Sequence, residues 1–190
     1  MTHFFLHWWI ASAGSETNEM FFQNICNDWD KILICLFGKE RDKEQKIIAT
    51  KDRFLYYNSK KKLSFESASE DIHSLLKQIK SSSLIYLVSG DNQKYLNIFS
   101  KIPDIKNILT DKTIVWVSAG SLIWSKIFYS QNEERVKTGL WLLPIKCIVH
   151  WWSKYSSLST DEERLKLLEE YWEKLPIIKI PEQEYKEFTI

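Results

Sequence analysis

Ser118-Ala119-Gly120-Ser121 follows the apolar run Ile114 to Val117 and precedes Leu122, Ile123 and Ile127, whose spacing predicts the start of a buried helix. A strand, a tight turn carrying a serine and then a helix is the order of a nucleophile elbow. The sharp turn lifts the hydroxyl clear of the sheet, and the backbone N–H of the following residue faces the oxyanion. The same tetrapeptide also suits a helix N-cap at Ser118, so both readings stand. His150 closes the apolar run Cys147-Ile148-Val149, which places an imidazole at the carboxyl end of a strand, where open α/β sheets carry their sites. Asn132-Glu133-Glu134 lies between the two, giving the chain order serine, acid, histidine that α/β-hydrolases use. A fourth element is Ser89-Gly90-Asp91-Asn92, a small polar turn between the apolar run Leu84 to Val88 and the helical spacing of Tyr95, Leu96, Ile98 and Phe99. Such a turn at a helix N-terminus can aim backbone N–H groups at an anion.

The elements that must hold these residues are legible in the hydrophobic pattern. Phe4 to Leu6, Ile32 to Phe37, Leu84 to Val88, Ile114 to Val117 and Cys147 to Val149 are continuous rather than alternating apolar runs. Strands buried on both faces of a parallel sheet look like this. Helical stretches fall between them: Glu16 to Cys26 with Met20, Phe21, Phe22 and Ile25 at helical spacing, and a helix through Ile72, Leu75, Leu76 and Ile79 that Ser67-x-x-Glu70 opens as a capping box. Thr160-x-x-Glu163 caps a last helix whose stripe of Leu165, Leu168, Tyr171, Trp172 and Leu175 packs on a sheet and ends at Pro176. Ile177 to Ile190 reads as two short strands around Pro181-Glu182, and Lys60-Lys61-Lys62 as a solvated turn. The fold class is therefore α/β, three layers with a mostly parallel central sheet, and 190 residues suit one domain spanning 1–190.

Composition narrows the function classes. With 44% hydrophobic residues the chain can offset its ordering entropy, so disorder and fibrous repeats are excluded. Twenty-six basic against 25 acidic residues leave a net charge of +1, without a global pull toward nucleic acid or an anionic membrane. No apolar run approaches the ~20 residues of a membrane span, the start carries no basic signal-peptide region, and three widely spaced cysteines suit a reducing compartment, so a cytoplasmic location is expected. Cys147-x-x-His150 lacks a second ligand pair at metal-site spacing, and no cofactor fingerprint occurs, so neither metal nor cofactor is expected. The sequence leaves the oligomeric state open.

Taken together, Gly90-Asp91-Asn92, Ser118-Ala119-Gly120, Glu133 fifteen positions after the serine, Leu143-Pro144 ahead of His150 and the closing Ile180-Pro181-Glu182 resemble the peptidase E group of serine hydrolases, which includes cyanophycinase-like enzymes. The resemblance runs across most of the chain. It implies a class I glutamine amidotransferase-like (flavodoxin-like) fold and a serine hydrolase acting on short or aspartyl-containing peptides. It assigns Ser118 as nucleophile, His150 as general base, Glu133 as the acid that orients His150, and the N–H groups of Ala119 and Gly90 as the oxyanion hole. Glu134 is an alternative acid, because the family more often has Asp at the position of Glu133. An aspartyl substrate calls for a cation, for which Arg135 and Lys146 are candidates. A glutamine amidotransferase proper would carry Cys at the elbow. The competing reading is a catalytically silent binding or scaffold relative.

The departures are of one kind. The family pattern has Gly where this chain has Trp8 and Trp9 after His7, Trp116 before Val117-Ser118, and Trp141 after Gly139-Leu140. The chain holds only 5 glycines against 9 tryptophans, whereas ordinary glycine usage is about 7%. A turn that needs positive φ or close backbone approach has no room for an indole. The pattern predicts UGA codons, which some bacterial lineages decode as glycine, at these positions.

Overall fold

The structure is a computed structural model that describes residues 1–7, 16–38, 41–88, 90–117, 122–152, 159–181 and 184–190. In chain order the elements are β1 (His3–His7), α1 (Glu16–Ile25), β2 (Lys31–Cys35), α2 (Lys43–Tyr57), β3 (Ser64–Ser67), α3 (Ile72–Ser81), β4 (Leu84–Leu87), α4 (Asn92–Phe99), α5 (Ile105–Ile108), β5 (Thr113–Val117), β6 (Ser125–Ser130), β7 (Arg135–Thr138), β8 (Leu143–Trp151), α6 (Asp161–Glu170), β9 (Ile177–Pro181) and β10 (Tyr185–Thr189). Each continuous apolar run of the sequence lies on a strand.

A six-stranded sheet has the order β10-β1-β5-β4-β2-β3 and is parallel except for β10, which runs antiparallel to β1. Its side chains alternate between two cores. Phe4, Leu6, Leu33, Cys35, Ile85, Leu87, Ile114 and Trp116 face α3, α4 and α5 through Leu75, Ile79, Tyr95 and Phe99. Phe5, Ile32, Ile34, Leu84, Tyr86, Val115 and Val117 face α1 and α2 through Phe21, Phe22, Ile25 and Phe54. Two buried faces on one sheet are the three-layer α/β/α arrangement expected, and they explain why these strands read as unbroken apolar runs. Leu33 and Leu87 are fully buried, so truncating either to alanine costs about 2–5 kcal/mol.

A second sheet, β7-β6-β8-β9, is parallel apart from β7. One of its faces extends the first core through Phe128, Leu143, Cys147, Val149 and Ile180. The other, through Ile127, Tyr129, Ile148 and Trp151, receives Leu168 of α6. The two terminal strands thus divide between sheets, β9 beside β8 and β10 beside β1.

Three local expectations change. Ser67 does not cap a helix, because it pairs with Ile34 as the last residue of β3; Asp71 is the N-cap instead, accepting the Ser74 N–H at 2.9 Å. Helix α6 keeps its Thr160/Glu163 capping box but stops at Glu170, well short of Pro176, and Trp172 is exposed. Lys61 does more than fill a solvated turn, since its ammonium donates to the Gln23 and Cys26 carbonyls at the end of α1 (2.8 and 2.6 Å). Among the described residues no helix is long and apolar enough to cross a membrane.

Candidate active site

Strand β5 delivers the serine turn. Its Ile114 to Val117 are buried between β1 and β4. Ser118 and Ala119 follow directly and lie, with Gly120 and Ser121, outside the described residues. What comes after them corrects the sequence reading. Instead of a helix there is a single 3₁₀ turn over 122–124 and then β6. The Ser125 hydroxyl closes that turn by donating to the Leu122 carbonyl at 2.6 Å. Ile127, Phe128 and Tyr129 continue as strand because β-branched and aromatic side chains pack on both faces of the second sheet.

The Gly90 turn sits beside this point, since Leu87 of β4 pairs with Trp116 of β5. Gly90 is required there by close approach. A Cβ would stand 2.5 Å from the Phe37 carbonyl oxygen and 2.8 Å from a Tyr95 ring carbon. Asp91 caps α4, its carboxylate accepting the N–H groups of Gln93 and Lys94 at 2.8 and 3.2 Å. The role of Tyr95 was missed in the sequence: its hydroxyl lies 2.7 Å from the carbonyls of both Cys35 and Val88. It ties the carboxyl ends of β2 and β4 together beneath the turn. A tyrosine four residues after a capping aspartate, on the sheet-facing side of its helix, is the only signal that could have marked it.

A cleft of about 670 Å³ opens at this rim, lined by Gly38, Gly90, Asn92, Ser130, Glu133 and Arg135 among others. Carboxyl ends from both sheets therefore meet in one place. Asn92 is buried and its Oδ1 makes no hydrogen bond among the described residues. Lys137 spans the cleft wall, donating to Gln93 Oε1 at 2.7 Å and to Glu133. Glu133 also pairs with Arg135. The Lys137 and Arg135 hydrogen bonds hold its carboxyl below the usual range, so it is an anion at neutral pH. Lys146, by contrast, is no candidate for a substrate carboxylate. It is buried, and its ammonium donates to the Leu168 and Tyr171 carbonyls at the end of α6.

His150 occupies an irregularity in β8. Val149 pairs with Ile180 and Trp151 with Pro181, so His150 is the extra residue of a bulge, and its φ is 59°. Bulges re-aim side chains, and left-handed non-glycine backbone gathers at functional sites. In the parallel register Phe128 pairs with Cys147, which puts Ser130, on the cleft wall, level with Val149. His150 thus stands at the same rim as the cleft. Burial, and secondarily the Arg164 guanidinium, push its imidazole down to about 4, so it is neutral at physiological pH. Glu134 lies in the turn that follows β6. Its carboxylate accepts the Tyr129 hydroxyl at 2.6 Å and the Ser159 hydroxyl at 2.7 Å, and it acts on Arg164.

The three cysteines are buried and reduced. Burial pushes the Cys26 and Cys147 thiols up to about 12 and raises Cys35 as well. None supplies a thiolate, which removes cysteine as a nucleophile.

The chain superposes on two solved structures over nearly its whole length. A peptidase from an acI-B1 Actinobacterium matches 98% of this chain with 83% of its own, at TM-score 0.68 and 16% identity. A candidate peptidase E protein from Listeria monocytogenes EGD-e matches 97% of this chain with 93% of its own, at TM-score 0.67 and 16% identity. The chain has the peptidase E-like fold. No protein-family model matches it, and neither does any curated protein. At this identity the fold is what is shared, and the chemistry of this chain rests on its own residues.

Proposed function

We propose that the chain is a cytoplasmic serine peptidase or amidohydrolase, a single domain over 1–190, that cleaves short peptides, aspartyl-containing ones among them. Ser118 attacks the amide carbonyl, His150 takes the proton and returns it to the leaving amine, and water hydrolyses the acyl-enzyme. The N–H groups of Ala119 and Gly90 receive the oxyanion, Asn92 Oδ1 accepts a substrate N–H, and Arg135 faces a substrate carboxylate. Glu133 is the acid by its position in the chain. Glu134 competes for the role because it shares the neighbourhood of Arg164 with His150.

The observation that carries this reading is the neutral His150, held in a left-handed bulge at the rim where the cleft opens. A base must be unprotonated at the working pH, which is the direction in which burial and Arg164 push His150. The test is hydrolysis of short aspartyl peptides. Ser118→Ala and His150→Gln should each abolish it while leaving the unfolding midpoint within experimental error. Full turnover by Ser118→Ala overturns the proposal.

One observation favours the catalytically silent relative. The 3₁₀ turn and β6 replace the helix expected behind Ser118, so no helix dipole assists an oxyanion there. Peptide binding without turnover by the unmodified chain is the result that would select it.

A further inference from the structure

Backbone in the left-handed region costs an L-residue roughly 1–2 kcal/mol, so the His150 bulge has to be held in place. Both restraints come from the first turn of α6. Asp161 Oδ2 accepts the Trp152 N–H at 2.7 Å, and Asp161 Oδ1 pairs with Arg164 Nη2. The same Nη2 donates toward the His150 carbonyl at 3.4 Å. The Thr160/Glu163 capping box fixes the turn from which both side chains project.

Arg164 is an unfavourable residue at that place. It is 3% exposed, and its Nε and Nη1 make no hydrogen bond among the described residues. Burying a half-satisfied guanidinium is expensive, and a cation in the first turn of a helix opposes the macrodipole. A residue that lowers stability on two counts, and whose guanidinium reaches the His150 carbonyl, calls for a role beyond folding.

We propose that Asp161 and Arg164 form a clamp that positions His150, Arg164 through the His150 carbonyl and Asp161 through the backbone two residues on. The clamp also sets the charge around the imidazole. Arg164 acts on the imidazole directly, and around Arg164 stand Asp161 on α6, Glu134 from the turn after β6 and Tyr129 from β6, while Lys179 of β9 lies over the Trp151 ring. Arg164 is the cation whose field opposes protonation of His150. Positioning for proton transfer rests on the serine hydrolase reading, whereas the backbone restraint and the charge effect do not.

The experiment therefore has two readouts, the His150 imidazole titration by NMR in a chain of four histidines and the rate of fluorophosphonate labelling at pH 7. Arg164→Met should move the titration midpoint up from about 4 toward the ordinary histidine range and slow labelling by about 10- to 100-fold, the scale of loss from misplacing a reacting group. Arg164→Lys keeps the charge and loses the fork, so its midpoint stays low while labelling slows. Asp161→Asn should slow labelling with little change of midpoint. A folded Arg164→Met chain that labels at the wild-type rate with an unmoved midpoint overturns the clamp, and if that variant fails to fold, unimpaired labelling of Arg164→Lys does so. A chain that never labels, yet whose midpoint moves in Arg164→Met, keeps the clamp and overturns the hydrolase reading.

A separate observation carries a second inference. Of the seven tryptophans among the described residues, Trp29, Trp141 and Trp152 have φ of 68°, 64° and 59°. All three are exposed. A bulky aromatic at positive φ is a genuine outlier, and three of them coincide with the conformation that glycine adopts freely. We infer that positions 29, 141 and 152 are glycine in the chain as its own cell makes it, with UGA as the codon. Trp116 does not share this geometry, since it lies in β5 and stacks on Trp124 at 5.7 Å between ring centroids, while Trp8 and Trp9 lie outside the described residues. Peptide mass spectrometry of the protein from its own host should show glycine at all three positions. Tryptophan there, or UGG codons in the gene, overturns the inference.

Discussion

Replacing the left-handed tryptophans one at a time separates backbone strain from packing. At Trp152 the side chain is 78% exposed, so glycine gives up little buried area. Relief of the left-handed conformation contributes about 1–2 kcal/mol, and the extra freedom of an unfolded glycine takes back about 0.4–1 kcal/mol. Trp152→Gly should therefore stabilise the fold by roughly 0.5–1 kcal/mol. Trp29 and Trp141 each lie under a lysine, Lys62 at 4.3 Å and Lys126 at 4.2 Å from the ring centroid. Losing an exposed cation–π contact of about 0.5–1 kcal/mol brings their substitutions close to neutral. Trp116 and Trp124 are the opposite case. Both are fully buried, so glycine should cost about 4–6 kcal/mol through the cavity and the looser strand or turn. Urea unfolding with a common m-value measures all five. A loss of more than about 1 kcal/mol at Trp152→Gly would refute the strain reasoning.

Three further outcomes are expected. His150 has a depressed value in the folded chain, so between about pH 4 and the ordinary histidine range near 6.5 the unfolded state binds more protons. Stability should rise with pH across that window and be fully present above it, so the wild-type and His150→Gln urea midpoints should agree above the window and the wild type should fall behind as pH drops through it. Gly90→Ala drives a Cβ to 2.5 Å from the Phe37 carbonyl, which should cost about 1–3 kcal/mol and reduce turnover, read by urea midpoint and peptide hydrolysis. Cys26, Cys35 and Cys147 should resist a thiol reagent in the native chain and react together on unfolding, because each thiol is buried and its value raised.

The sequence reached the central sheet because burial on both faces leaves an unmistakable mark, the unbroken runs of β1, β2, β4 and β5. It missed the second sheet's reach toward the site. Ile127 at four residues from Ile123 imitates a helix, and only the neighbouring β7 and β8 make that segment a strand. Ser67-x-x-Glu70 failed as a cap for a similar reason, since β3 pairing with β2 claims Ser67 first. At the site, Gly90 was legible as a turn, but the tie beneath it from the Tyr95 hydroxyl to the Cys35 carbonyl joins segments 60 residues apart in the chain. The bulge at His150 and the buried Arg164 left no local trace, because register slips and charge burial are properties of packed neighbours.

The proposed chemistry requires the Ser118 hydroxyl at the end of β5 to be activated by the His150 imidazole of β8. Fluorophosphonate treatment followed by peptide mapping tests it most directly. A single adduct on Ser118, lost in Ser118→Ala and formed far more slowly in His150→Gln, is the predicted result. An adduct on another residue, or labelling of the His150→Gln chain at the wild-type rate, contradicts it.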